Sequence, residues 1–131
     1  MTVIAVPLVV ALGADAVRKL STSAVMHKQY TVSNAPFVRI KKELNSESPD
    51  WSKVQEAARR FLSLAENLEK NEPKWGDTAS WKTHTTRHVE DAKAIENASR
   101  ARDRDAILVA RKRVSDSCKA CHQAHRDRGE D

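Results

Sequence analysis

Near its C-terminus the chain reads Cys118-Lys119-Ala120-Cys121-His122, and these are its two cysteines. On a helix turning about 100° per residue, Cys121 lies about 60° to one side of Cys118 and His122 about 40° to the other. Two thiols and an imidazole therefore share one helical face. The spacing C-x-x-C-H is that of c-type haem attachment. Its chemistry explains the pattern: the thiols add to two vinyl groups as thioethers, while the imidazole rises to the iron. Two other uses of these residue types stay open. A bare C-x-x-C serves as a redox disulfide, but thioredoxin-like motifs start a helix within a βαβ unit. This one lies deep in a C-terminal helical segment. Cys118, Cys121, His122 and His125 also offer zinc four good ligands. Two turns of one unbroken helix, however, enclose a tetrahedral ion poorly.

The elements that must position the motif are helical. Three Gly and four Pro in 131 residues are too few for the turns of an all-β sandwich or barrel. The length fits one domain with a real core. No apolar run reaches the ~18 residues of a membrane span, and two cysteines cannot make a disulfide scaffold. The first helical segment runs from about Val17 to Asn34, with Pro36 forcing a break and a short continuation to about Leu44. Ser48-Pro49-Asp50-Trp51 opens the second, with Ser48 as cap, Pro49 at the first helical position and Asp50 in the first turn. Its apolar stripe is Trp51, Val54, Ala58, Phe61, Ala65 and Leu68. After the loop Asn71-Glu72-Pro73-Lys74-Trp75-Gly76, Asp77 or Thr78 caps the third. That helix carries Trp81, Thr85, His88, Ala92, Ile95 and Ser99. The fourth starts at Asp103 or Asp105 and carries Ile107, Ala110, Val114, Cys118, Cys121 and His125. Short loops make sequential helices antiparallel neighbours. The expected fold is an all-α, antiparallel up-down-up-down four-helix bundle.

The first sixteen residues differ from the rest. Thr2 to Leu12 is apolar and uncharged, and Ala14 and Ala16 occupy the −3 and −1 positions of an A-x-A cleavage site. Residues 1–16 read as a secretory signal peptide, short of a basic n-region, and residues 17–131 as the mature domain. Pro7 sits awkwardly for the alternative, a buried first helix. Haem attachment takes place outside the cytoplasm in bacteria, so both ends of the chain point to a periplasmic protein with no membrane span in the mature chain.

A C-x-x-C-H near the C-terminus of a helical chain resembles the class II c-type cytochromes, the cytochrome c′ and cytochrome c556 group. The closest stretch is Ser117-Cys118-Lys119-Ala120-Cys121-His122-Gln123-Ala124-His125-Arg126. The family usually reads C-x-x-C-H-x-x-aromatic-Arg/Lys there, so His125 departs from its pattern. Thr78-Ala79-Ser80-Trp81-Lys82 also resembles the start of the family's third helix. The resemblance covers residues 17–131 and is sharpest at the C-terminal motif. It implies a four-helix bundle holding one covalently bound haem c. Cys118 and Cys121 would be the anchors and His122 the proximal iron ligand, with Arg126 near that imidazole or a haem propionate. Relatives often pair through their first two helices, which leaves room for a homodimer.

Within this family the residue that the first helix presents to the iron separates two functions. A methionine gives six-coordinate iron suited to electron transfer; an apolar residue leaves five-coordinate iron that binds small gases. Here the helix offers Met26 beside His27. Leu20 and Ala24 define an arc that His27 borders more closely, whereas Met26 shares a face with Tyr30. The family's Arg four residues earlier is replaced by Thr22, with Arg18 the nearest substitute. Met26 is the expected distal ligand and His27 the alternative. The leading expectation is an electron carrier, not an enzyme, with His122 and Met26 on the iron. The second is a five-coordinate protein binding NO or CO; the third is a haem-free zinc-binding or interaction module.

Other residues carry less. His84 and His88 are four apart and could chelate a metal, but no Glu follows His84 as a zinc-protease motif requires. His88 falls on the inner stripe, where it would meet the haem edge. A net charge of +5 and the run Arg100, Arg102, Arg104, Arg111, Lys112 and Arg113 suit an acidic redox partner. Asp103, Asp105 and Asp116 interrupt that run as they would on a solvated face. The same run could also meet nucleic acid, but the solvated face is the commoner explanation and nucleic acid is not an expected partner. No Gly-rich phosphate loop is present.

Overall fold

A computed structural model describes residues 19–125, and every regular element in that range is helical. The elements are α1 (Thr22–Met26), continued by a π-helical turn His27–Thr31, then α2 (Pro36–Leu44), α3 (Trp51–Lys70), α4 (Thr78–Arg100) and α5 (Arg104–His125). Residues 1–16, read from the sequence as a signal peptide, lie outside the described residues, as do Arg18 and Arg126.

Short polar side chains start the helices by accepting otherwise unpartnered N–H groups. Ser21 accepts from the Ala24 amide at 3.1 Å, Asp50 from those of Ser52 and Lys53, and Asp77 from that of Ser80. Asp103 does the same for Ala106 before α5. The second cap corrects the expectation from sequence: Asp50, not Ser48, begins α3. An aspartate directly before Trp51 satisfies two amides at once, so the helix starts two residues later than Pro49 suggested. The first helix also starts late, at Thr22, because Ser21 is its cap.

Pro36 interrupts the first arm as expected, since the residue before a proline is pushed out of the helical region. Asn34 turns through a left-handed φ of 62° and Pro36 opens α2. Arg102 does the equivalent after α4, with φ 54°. There the Asp103 amide reaches the Ala98 carbonyl and the Arg102 amide that of Ser99, the paired bonds of a helix stop.

α1, the π turn and α2 make one bent arm, which with α3, α4 and α5 forms the expected four-helix bundle. The arm runs antiparallel to α3: Leu20 bonds Asn67 near the end of α3, and Gln29 bonds Phe61 in its middle. It is tied to α5 where Arg111 donates to the Phe37 carbonyl at 3.1 Å with its guanidinium over the Phe37 ring. The apolar stripes meet in two layers. One holds Ile40, Leu44, Val54, Phe61, Ile95, Ile107 and Val114. The other, at the end where the cysteine motif lies, holds Val25, Leu64, Leu68 and Trp81, with Leu20 and Met26 against them. No helix among the described residues is long and apolar enough to cross a membrane.

Candidate functional site

Two sets of polar contacts fix the end of the bundle that carries the motif. The first pins the start of α1. Asn71, at the end of α3, donates to the Leu20 carbonyl at 2.9 Å and to the Thr22 hydroxyl at 3.3 Å. The Asn71 main-chain carbonyl accepts from the Trp81 indole at 2.8 Å. Three elements are thus joined one turn before Met26.

The second set pins the end of α5. His125 is buried, and its two ring nitrogens reach the Trp75 carbonyl at 2.9 Å and the Ser80 hydroxyl at 3.0 Å. Its ring meets Trp81 edge-on. The sequence pattern placed His125 on the stripe of the last helix, as a possible zinc ligand and as a departure from the family's aromatic. The structure shows an aromatic role combined with two hydrogen bonds that no phenyl ring could make. Gly76 permits the approach: it has a φ of 87°, and a Cβ there would strike the Ala124 carbonyl and the His125 ring. The turn of α5 bearing Cys121 and His122 is therefore held between this clamp and the core residue Val114.

Between the two pinned ends lies a cleft of about 800 Å³ lined by Met26, Leu68, Lys74, Trp75, Trp81, Cys121 and His122 among others. That volume is within the ~300–1,000 Å³ typical of cofactor clefts. It adjoins a smaller cavity that shares Met26, Leu68, Cys121 and His122 and adds Tyr30, His84, Thr85, His88 and Cys118. The cysteine motif and Met26 thus face each other across one space. His27 does not join them: it is exposed and lines neither cavity. The arc drawn through Leu20 and Ala24 fails because Leu20 precedes the helix. The buried residues are Val25 and Gln29, which turn Met26 inward.

The cysteines are half-buried and unpaired. Cys118 donates to the Val114 carbonyl one turn back. Burial pushes both thiols above their usual range, and Cys118 adds to the effect at Cys121. Zinc would need thiolates, so this setting works against a zinc site. Among the described residues, no group of three or more His, Cys, Asp or Glu side chains is placed to hold a metal ion.

Beside the cavity sits a polar cluster that the sequence pattern indicates only in part. Gln29 is fully buried, donates to the Phe61 carbonyl at 3.2 Å and meets His88 Nε2 at 3.3 Å. The Tyr30 hydroxyl lies 3.5 Å from the same nitrogen. Burial pushes His88 down to about 4, against an opposing pull from Asp91. The unfolded chain binds a proton at His88 below about 6.5 and the folded chain only below about 4, so folding is opposed by acid in that window. Stability of the haem-free chain is expected to fall by roughly 3 kcal/mol as pH drops from 6.5 to 4. Urea unfolding at several pH values checks this. His88→Gln should remove most of the dependence; His84, lowered in the same direction, keeps the remainder.

Much of the basic run is committed internally. Arg111 packs on Phe37, Arg113 pairs with the buried Asp91 at 3.1 Å, Lys112 with Asp116 and Arg100 with Glu96.

With this geometry in place, the comparison with known families is specific. Residues 65–126, the end of α3 through the cysteine motif, match the family model described as Cytochrome C'. The match bears out the resemblance to the class II c-type cytochromes, and an all-helical four-helix bundle is the fold they share. The match suggests a haem-binding c-type cytochrome, and proteins of the matched family are generally periplasmic and generally not enzymatic. No curated protein and no solved structure matches the chain.

Proposed function

We propose that this protein is a periplasmic monohaem electron carrier, with haem c attached through Cys118 and Cys121 and axial ligation by His122 and Met26. The observation that carries this reading is that Met26 and His122 line the same cleft from opposite arms of the bundle, with Cys121 beside them. The donor set fits the group: two half-buried neutral thiols one helical turn apart, an exposed imidazole next to them, and a thioether facing them. Bound haem supplies a one-electron ferric/ferrous couple, and a His/Met pair favours the ferrous form. The chain's part is to hold the axial side chains and exclude water. Asn71 fixes the arm that carries Met26, and the His125 clamp fixes the turn that carries His122. Leu68 and Trp81 supply apolar wall. Arg126 is assigned to the proximal side or a propionate by family pattern, and Lys74 lines the cleft as a further cation. The exposed positive charges that remain suit an acidic redox partner, and pairing of two copies through the first two helices stays part of the proposal.

The experiment is an optical spectrum of protein matured in an exporting host, oxidised and reduced, with and without carbon monoxide. A low-spin spectrum indifferent to carbon monoxide is expected. Met26→Ala should convert it to a high-spin ferrous form that binds the gas. A wild-type protein that already binds carbon monoxide would replace this reading with a five-coordinate, gas-binding one.

A further inference from the structure

The hydrogen bonds around Gln29 form a chain in which each fixes the next. The Phe61 carbonyl can only accept, so the group Gln29 turns toward it is the amide NH₂. The Gln29 carbonyl oxygen must then face His88 Nε2, and it too can only accept. His88 Nε2 therefore carries a hydrogen and donates it. The Tyr30 oxygen, 3.5 Å from that same nitrogen, can accept a share of this N–H but cannot donate to it. The phenol's own O–H is left uncommitted by the cluster.

Where that hydroxyl sits gives it a use. Tyr30 lines the cavity that also holds Met26, Cys118, Cys121 and His122. The α5 wall of that cavity is Ser117, Cys118, Cys121 and His122, so Tyr30 shares the space with α5. It lies four residues after Met26, within a π-helical turn, a local widening frequent at functional sites. Phe37 and Phe61 pack edge-on against its ring and hold it in place.

We infer that Tyr30 is the hydrogen-bond donor of this cleft, and that it favours small diatomic ligands with negative charge on their outer atom over carbon monoxide. The inference rests on haem occupying the cleft. It concerns what happens when the Met26 position is open to an external ligand. Gln29 and His88 are positioning residues: they keep the phenol oxygen in its accepting role, so that its proton points elsewhere.

The test compares haem-loaded Met26→Ala with Met26→Ala/Tyr30→Phe. Phenylalanine keeps the ring contacts and removes only the hydroxyl. The C–O stretch of the carbon monoxide complex is expected to move to higher wavenumber when the hydroxyl is lost. Cyanide should bind the ferric form about tenfold more weakly, the worth of one hydrogen bond to a charged acceptor. An unchanged stretch with unchanged cyanide affinity overturns the inference. If the wild type itself takes up carbon monoxide, the His/Met reading fails. The wild type is then compared with Tyr30→Phe directly: a raised stretch and weaker cyanide binding support the donor, and no change in either overturns it. A second measurement needs no variant: nitrogen NMR of His88 in the loaded wild type should show Nε2 protonated. A bare Nε2 would bind the phenol proton and overturn the inference by itself.

Discussion

Replacing Cys118 and Cys121 together with alanine is expected to leave a helical chain with no covalently held haem. The loss should be complete, because the chain has no other cysteine to form a thioether. The fold should survive, because its core lies elsewhere. The fully buried side chains are Phe61, Ile40, Leu44, Ile95, Ile107 and their neighbours, whereas both thiols are half-buried. Their hydrogen bonding contributes little: Cys118 donates within its own helix to the Val114 carbonyl, and a thiol is a weak donor. Truncating two small, partly exposed side chains costs about 1–2 kcal/mol. Haem staining after a denaturing gel reads the first outcome and far-UV circular dichroism the second. Haem retained on the denatured variant would sink the attachment proposal. An unfolded variant would mean that the cysteines serve the core.

The apolar stripes of α3, α4 and α5 and the motif at Cys118 to His122 could be read from the sequence because each depends on local spacing. Phe61, Leu68, Thr85, His88, Ile107 and Val114 face inward as periodicity requires. What could not be read depends on where a helix begins or on contacts between distant segments. The Leu20–Ala24 arc assumed a helix that in fact starts at Thr22, and the error favoured His27 over Met26. A π-helical turn directly after Met26 breaks the 3.6-residue rule on which such arcs rest. Gln29 carried no signal as a buried residue, since its partners Phe61 and His88 are 32 and 59 positions away. Gly76 looked like ordinary loop punctuation. Its need for a left-handed φ and for the missing Cβ emerges only with α5 packed against it. The role of His125 was invisible for the same reason: its partners Trp75 and Ser80 belong to that distant loop and to the start of α4.

Phe61→Ala should cost about 3–5 kcal/mol, the usual penalty for removing a fully buried aromatic side chain. Urea unfolding should show the midpoint falling with little change in slope. The ring is wholly inaccessible and touches each neighbour in a defined way. It stacks on Phe37 at 5.7 Å and meets Tyr30 and His88 edge-on at 5.9 and 5.3 Å. Those three residues come from α2, the π turn and α4, so a void at Phe61 opens between elements and cannot close by a single rotamer change. The same void lies directly behind the cavity wall. The main-chain carbonyl that orients Gln29 would remain, but the edge contacts that hold Tyr30 and His88 would be gone. Stability and the site should therefore loosen together: the variant's C–O stretch, measured with Met26→Ala to open the iron, should broaden as Tyr30 samples several positions. A loss under about 1 kcal/mol with an unbroadened stretch would mean that Tyr30 is held by its own arm. Its placement beside the cleft would then owe nothing to the core beneath it.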